Sequence, residues 1–286
     1  MARTLRQKVG RELHRIFRRD QAPANAPAAA DEGWSEERAY WFDMLCDFYQ
    51  SAYGLEPHPL QSDASLVPPL EKVVAIQRPD KAHPDAFFAT GYRTALAYQR
   101  ELRDYGASVD RMEHILEMGV GLGRLMVHFS PFKAKLSGCD VTPDAVEWTQ
   151  SKLGQRVDVT LTELEPPLPY ADATFDFVYA NSVFTHVPCP LMDRWASELQ
   201  RIIRPGGFLI FSVLDANHYL RDMTYREFHR HNETAGCRDW NHDRGVHMMT
   251  YLSRDFIRET WGTYFQVLEL RSHFRDQSHV ICRRPA

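Results

Sequence analysis

The feature that most constrains the fold is an alternation of apolar, strand-like segments with amphipathic, helix-like segments between residues 114 and 214. The strand-like segments are 114–119, 136–141, 157–162, 175–181 and 207–214, and the helix-like segments are 124–132, 143–153 and 191–203. Strands joined by helices pair in parallel, because the helix carries the chain back to the starting edge of the sheet. The sequence therefore predicts an α/β fold with a doubly wound, mostly parallel sheet.

The C-terminal region follows a different pattern. Two strand-like segments, 265–274 and 278–284, are separated by a turn that is too short for a crossover helix. Neighbouring strands joined in this way pair antiparallel. We therefore expect the last strand of the sheet to run against the others.

The N-terminal third divides into three parts. Residues 3–19 place apolar side chains at helical spacing and seven basic side chains on the other face, which predicts a basic amphipathic helix within residues 1–19. Such a helix either contacts an anionic membrane surface, docks on a partner, or is merely solvated. Residues 20–33 are rich in Ala and Pro and predict a flexible linker. Residues 34–110 are helical and aromatic-rich, which indicates an N-terminal helical cap.

Composition narrows the classes of function. The 34 basic and 38 acidic residues give a net charge of -4, which disfavours a nucleic-acid substrate. The five cysteines are widely spaced without a C-x-x-C pair, so we expect neither a zinc site nor a disulfide framework, and we expect a reducing, cytoplasmic compartment. The sequence has neither a long apolar stretch nor the apolar run of a signal peptide, so we expect a protein that is neither membrane-spanning nor secreted.

A glycine loop follows the first strand-like segment. Glu117 ends an apolar run, and Gly119, Gly121 and Gly123 follow at alternate positions. Backbone without side chains at the end of a strand lets a nucleotide-like ligand approach closely. The dinucleotide pattern G-x-G-x-x-G needs a glycine where Arg124 stands. The acid before the loop suits a ligand with a cationic amino group better than one with a diphosphate.

A second acid ends the next strand-like segment. Asp140 is placed to accept both ribose hydroxyls of a nucleoside that lies across the strand ends. Taken alone, Asp140 could also serve as an N-cap for the helix that starts near Pro143, a role that Thr142 could fill equally well. The combination with the glycine loop favours a nucleoside ligand.

Four segments in this order resemble the small-molecule class I methyltransferases, which depend on S-adenosylmethionine. They are EMGVGLGR, GCDVTPDAVEWTQ, LPYADATFDFVYANSVFTHVP and RIIRPGGFLIFS, which begin at residues 117, 138, 168 and 201. The resemblance implies a seven-stranded sheet with an antiparallel last strand, S-adenosylmethionine as cofactor, and a methyltransferase domain over residues 111–286.

The resemblance also implies roles for individual residues. Glu117 and the three loop glycines are expected to hold the methionine part of the cofactor, Asp140 the ribose, and Val141 the adenine. Either Glu163 or the backbone of Leu164 is expected to meet the adenine amino group, and the sequence does not choose between them. Asn181 and Ser182 are expected to face the sulfonium end.

Two histidines are candidates for a general base. His186 follows the fourth strand-like segment, where it either deprotonates the acceptor or only orients its loop. An insertion at 215–249 is predicted to form a substrate lid, with His247 among the side chains that shape the pocket. The insertion is rich in histidine, but its spacings match no zinc motif, so no metal is expected.

The acceptor is expected to be a hydroxyl or an amine of a small molecule, glycan or lipid. The segment that begins at Asn181 lacks the N/D-P-P-Y/F motif of enzymes that methylate amino groups of nucleic-acid bases. Two alternatives are a nicotinamide-dependent oxidoreductase, which the glycine spacing disfavours, and a non-catalytic protein that binds S-adenosylmethionine. The sequence predicts no oligomeric state.

Overall fold

The structure is a computed structural model, and it describes residues 66, 68–69, 72–73, 84–215, 236–241, 248–272 and 277–286. The predicted basic helix over 3–19 and the linker 20–33 lie outside the described residues, as do most of the predicted cap before residue 84 and His247 in the predicted lid. Within the described part, no helix is both long enough and apolar enough to cross a membrane.

The structure contains five α-helices and nine β-strands in the described residues. The helices are α1 Pro84–Asp104, α2 Met126–Phe129, α3 Pro143–Leu153, α4 Met192–Ile202 and α5 Arg254–Thr260. The strands are β1 His114–Met118, β2 Lys135–Asp140, β3 Val157–Leu161, β4 Phe175–Ala180, β5 Ile203–Val213, β6 Cys237–Asn241, β7 Met248–Leu252, β8 Gln266–Arg271 and β9 Ser278–Arg283.

Seven strands form one mixed sheet in the order β3-β2-β1-β4-β5-β9-β8. The pairs β1–β4, β2–β3 and β4–β5 are parallel, whereas β9 is antiparallel to both β5 and β8. The prediction of an α/β fold with a mostly parallel seven-stranded sheet and an antiparallel last strand is therefore confirmed.

The chain separates into two compact units. The first unit contains the residues up to Arg111 together with 120–161, and the second contains 112–119 and 162–286. The chain passes from the second unit to the first between Gly119 and Val120, within the glycine loop.

In the first unit, α1 ends at a glycine in the left-handed conformation. Gly106 has a φ of +77°, and the N–H of Ala107 donates a 2.9 Å hydrogen bond to the carbonyl of Leu102. This closure is a Schellman motif, in which a glycine adopts the left-handed conformation after the last turn. The buried stripe of α1 consists of Ala95, Tyr98 and Leu102.

The second unit has a core of nearly continuous apolar strands. Strands β4 and β5 are almost completely buried, as expected for parallel strands that are covered on both faces. Beside them lies an aromatic cluster formed by Phe184, Phe211 and Trp261. The ring centroids of Phe211 and Trp261 are 4.1 Å apart, and those of Phe184 and Trp261 are 4.9 Å apart.

The second unit also contains a two-stranded sheet that the sequence analysis did not predict. β6 pairs antiparallel with β7, and a disulfide joins Cys237 on β6 to Cys189, with 5.5 Å between the two Cα atoms. The expectation that the chain carries no disulfide is therefore wrong. The two cysteines are 48 residues apart in the sequence, and their spacing gave no sign of the pairing. Cysteine spacing consequently no longer supports a reducing compartment.

Two element boundaries also differ from the prediction. The helix predicted over 124–132 contains only the four residues of α2, because turns occupy the positions before and after it. Strand β5 begins at Ile203, directly after α4, rather than at Gly207. Its register against β4 shifts between Phe175 and Phe177, which accommodates Pro205 within the strand.

Candidate cofactor and acceptor site

In the first unit, the glycine loop is tied to the carboxylate at the end of β2. The N–H of Gly121 donates a 2.8 Å hydrogen bond to Oδ2 of Asp140, and the N–H of Thr142 donates a 2.9 Å bond to Oδ1. The hydroxyl of Thr149 on α3 donates to the carbonyl of Gly121 at 2.7 Å. These bonds fix both the carboxylate and the middle of the loop.

The loop glycines of this unit serve different purposes. Gly121 has a φ of +52°, and a Cβ placed there would meet no other heavy atom within 4 Å. Gly123 has a φ of +77°, and a Cβ there would lie 2.9 Å from Cδ1 of Leu153. Gly123 therefore permits close packing against α3, whereas the open face of Gly121 permits close approach of a ligand.

The surroundings of Asp140 exclude the helix N-cap role that the sequence left open. Thr142 is the N-cap residue of α3, and its side chain makes no capping hydrogen bond. Asp140 accepts from the N–H of Thr142 itself, outside the helix, so it is not the N-cap of α3. Val141, the residue predicted to pack on adenine, is half-buried beside it.

In the second unit, Glu117 is a buried carboxylate on β1 with only 2% of its surface exposed. It lies directly opposite Tyr179 in the parallel pairing of β1 with β4, and the Tyr179 hydroxyl donates a 3.1 Å hydrogen bond to its Oε2. Coulombic attraction is stronger in such a low-dielectric environment than at the surface. Glu117 is therefore suited to bind a cationic amino group.

The turn after β4 packs on the first loop glycine. Gly119 has a φ of +77°, and a Cβ at this position would lie 2.4 Å from Cγ2 of Val183. Both the backbone conformation and the available space therefore require glycine here. The first glycine of the motif is thus a packing position rather than an open one.

The turn after β4 also contains Asn181 and Ser182, which are predicted to face the sulfonium end of the cofactor, and the candidate base His186. Ser182 has a φ of +60°, and Asn181 Nδ2 lies 3.5 Å from its Oγ. The hydroxyl of Thr185 donates to the carbonyl of Ser182 at 3.0 Å, and the N–H of His186 donates to the carbonyl of Val183 at 2.9 Å. These bonds make 182–186 a compact turn that carries the half-buried His186.

The remaining predicted residues have less defined surroundings. After β3, Glu163 is exposed and Leu164 is half-buried, so the choice between them as the adenine partner stays open. His247 lies outside the described residues. In the described ranges, no group of three or more His, Cys, Asp or Glu side chains is arranged to hold a metal ion. The five histidines of the predicted lid lie in its undescribed part.

The residues present fit S-adenosylmethionine. In the first unit, an open glycine face adjoins a fixed carboxylate, which suits a ribose with two hydroxyl donors. In the second unit, a buried carboxylate suits an α-amino group. When bound, the cofactor supplies a methyl group that its sulfonium has already activated.

Four residues of these surroundings were missed by the sequence analysis. They are Tyr179, Val183, Ser212 and Gln277. Tyr179 fits the pattern of a buried strand, so its position in the sequence does not mark it as a site residue. Only the β1–β4 register shows that it lies opposite Glu117. Ser212 on β5 and Gln277, which immediately precedes β9, both bond to Ser182. Nothing in the local sequence signals these contacts.

The comparisons with known proteins agree with this geometry. Residues 116–211 match a family model described as a methyltransferase domain. The sterol 4-C-methyltransferase strm-1 of Caenorhabditis elegans is 26% identical over 163 residues, which are 52% of this chain and 48% of that protein. A malonyl-(acyl-carrier protein) O-methyltransferase of Hahella chejuensis is 26% identical over 192 residues, which are 65% of this chain and 63% of that protein. The chain spans about half the length of the curated relatives it matches.

A solved structure supports the fold. The crystal structure of an S-adenosylmethionine-dependent methyltransferase from Mesorhizobium loti matches with a TM-score of 0.50 at 15% identity, covering 65% of this chain and 96% of that chain. The motifs, the strand order and the matched domain agree with one another. Residues 116–211 are therefore a methyltransferase domain of the class I, Rossmann-like type, for which S-adenosylmethionine is the cofactor.

Proposed function

We propose that this protein transfers a methyl group from S-adenosylmethionine to a hydroxyl or amine of a small molecule, glycan or lipid. The observation that carries the proposal is the arrangement at Gly121. Its face is open, and its N–H is bonded to Asp140, so a ligand that approaches the loop meets a carboxylate held in place. This segment lies within residues 116–211, which match a family model described as a methyltransferase domain.

Each predicted site residue has a role in this proposal. The methionine part is assigned to Glu117, Gly119, Gly121 and Gly123, the ribose to Asp140, the adenine to Val141 with Glu163 or Leu164, and the sulfonium end to Asn181 and Ser182. The burial of Glu117 supports its pairing with the α-amino group. The hydrogen bonds to both oxygens of Asp140 support a fixed carboxylate for the ribose.

In methyl transfer from a sulfonium, the main role of the protein is to align the two reactants. Methyl transfer is an in-line displacement at carbon, so the protein orients the acceptor atom and excludes water. A hydroxyl acceptor also has to lose its proton. His186, held in the turn 182–186, is the described candidate for the base, and His247 is a second candidate.

The class of acceptor is suggested by what the relatives are named for. One is named for 4-C-methylation of a sterol and another for O-methylation of malonyl-(acyl-carrier protein). A sterol is a lipid, and a malonyl group is a small acyl group. We infer the same broad class for this chain, in line with a net charge of -4, which provides no general attraction for a polyanion.

The proposal is tested by incubating the full chain with a cell extract and S-adenosylmethionine that carries an isotopically labelled methyl group. Mass spectrometry should detect label in a small molecule, glycan or lipid, and the Asp140→Ala variant should not produce it. Label only in nucleic acid, or only on amino-acid side chains of proteins, would contradict the proposed acceptor class. A protein that binds the cofactor but labels nothing in any extract would instead be a non-catalytic binder.

A further inference from the structure

Ser182 adopts a conformation that serine seldom takes. Its φ of +60° lies in the left-handed region, where a Cβ is crowded by the backbone. Residues other than glycine persist in this region when neighbouring contacts hold them there. Ser182 follows Ala180, the last residue of β4, by two positions.

Two side chains that are distant in sequence, Ser212 and Gln277, supply those contacts. The N–H of Ser182 donates a 2.7 Å hydrogen bond to Oγ of Ser212, which is fully buried on β5. The hydroxyls of Ser182 and Ser212 both donate to Oε1 of Gln277, at 3.1 Å and 2.5 Å. Gln277 immediately precedes β9. The carbonyl of one glutamine therefore accepts both hydroxyl protons, and Ser182 is bonded through its backbone and its side chain.

The held turn determines where Val183 lies. Cγ2 of Val183 lies 2.4 Å from the point where a Cβ on Gly119 would stand, so the valine closes directly over the first loop glycine. If Ser182 relaxed to a negative φ, the direction of the chain would change at the residue just before Val183. The packing of Val183 on Gly119 therefore depends on the conformation of Ser182.

We propose that Ser212 and Gln277 are positioning residues for the cofactor loop. They hold Ser182 in the left-handed conformation, and Ser182 in turn keeps Val183 seated on Gly119. Neither residue needs to touch the cofactor. This inference rests on the proposed function, because it assigns a cofactor-binding role to the loop that contains Gly119.

The first test is the affinity for S-adenosylmethionine, measured by calorimetry on the full chain. The Gln277→Leu variant keeps the size of the side chain but accepts no hydrogen bond, and it should weaken binding by about tenfold, equivalent to about 1.4 kcal/mol. The Gln277→Glu variant still offers oxygens to both hydroxyls and should bind within about twofold of the parent chain. Thermal denaturation without cofactor establishes that each variant is folded. If Gln277→Leu does not fold, Ser212→Ala replaces it in the same comparison.

The decisive test is rescue by glycine. Glycine takes a positive φ without support, so Gln277→Leu should weaken binding less than about twofold when it is made in a Ser182→Gly chain. Ala173 provides a matched control, because it is also a non-glycine residue with a positive φ, of +51°. Ala173→Gly relieves comparable strain elsewhere and should not rescue Gln277→Leu.

The outcomes separate this inference from the proposed function. If the parent chain does not bind S-adenosylmethionine, the proposed function fails. If the parent chain binds but Gln277→Leu binds equally well, or if Ala173→Gly rescues as fully as Ser182→Gly, the positioning role is overturned.

Discussion

The backbone N–H of Gly121 and the carboxylate of Asp140 are joined by a 2.8 Å hydrogen bond. The bond links the middle of the glycine loop to the end of β2, two segments that the sequence motif identifies separately. Because the face of Gly121 is open, the carboxylate is fixed beside a surface that a ligand can reach.

Replacing Asp140 should weaken binding of S-adenosylmethionine strongly. Asp140→Ala removes the acceptors for the N–H groups of Gly121 and Thr142 and the proposed contacts to the ribose. Charge-assisted hydrogen bonds are worth about 1.5–3 kcal/mol each, so calorimetry should record a loss of at least about tenfold. Asp144→Ala, which removes an exposed carboxylate from the first turn of α3, is the control. A loss of less than about threefold for Asp140→Ala would exclude it as the ribose ligand.

Replacing Glu117 should weaken binding of the α-amino group of the cofactor, whereas replacing Asp140 should affect the ribose. Glu117→Gln removes a buried negative charge, whereas Tyr179→Phe removes one neutral hydrogen-bond donor to that charge. The first change should weaken S-adenosylmethionine binding by about tenfold and the second by about threefold. Binding of 5′-methylthioadenosine, which lacks the amino-acid part, should be unaffected by Glu117→Gln and weakened by Asp140→Ala. Equal losses for both ligands in Glu117→Gln would contradict the assignment to the α-amino group.

Alanine at Gly119 should mainly lower the free energy of unfolding, whereas alanine at Gly121 should mainly weaken cofactor binding. Gly119→Ala places a Cβ 2.4 Å from Cγ2 of Val183, and such overpacking costs about 1–3 kcal/mol beyond the left-handed backbone strain of about 1–2 kcal/mol. Gly121→Ala incurs only the backbone strain, but its methyl group projects from the open face. Urea unfolding should therefore find Gly119→Ala the less stable variant, and calorimetry should find weak cofactor binding in Gly121→Ala. Normal affinity in Gly121→Ala would show that the ligand does not approach this face.

The cysteines give a chemical test of the second unit. Alkylation of the native protein without reductant, followed by peptide mass spectrometry, should leave Cys189 and Cys237 linked. Cys282 should stay unmodified, because complete burial raises the pKa of its thiol and keeps the reactive thiolate scarce. Replacing Cys189 and Cys237 together by Ser should lower the free energy of unfolding by about 2–4 kcal/mol, since the bond closes a long loop in the unfolded chain. Separate alkylated peptides for Cys189 and Cys237 would contradict the pairing.

Local pattern was sufficient for most of the regular elements. Helix α3 has the predicted bounds 143–153, with Pro143 at its first position. Strand β1 coincides with the apolar run that contains Glu117. The antiparallel end of the sheet followed from the shortness of the turn before β9. These features depend on residues that are neighbours in the chain.

The features that the sequence analysis missed depend on pairing between distant segments. β6 reads CRDWN, which lacks the alternation of a half-buried strand, so its pairing with β7 and the disulfide to Cys189 were not predicted. Glu117 and the loop glycines are close in sequence, so the motif identifies them as candidate site residues. The bonds of Ser182 to Ser212 and Gln277 join residues 30 and 95 positions apart, and no local pattern encodes them.

The most direct measurement for the central claim is a calorimetric titration of the full chain with S-adenosylmethionine, with its demethylated product S-adenosylhomocysteine, and with NAD. The glycine loop and the two carboxylates fit an amino acid joined to a nucleoside, so the first two ligands should bind with a Kd in the micromolar range, about -8 kcal/mol. NAD should bind little or not at all. Tighter binding of NAD than of S-adenosylmethionine would contradict the account.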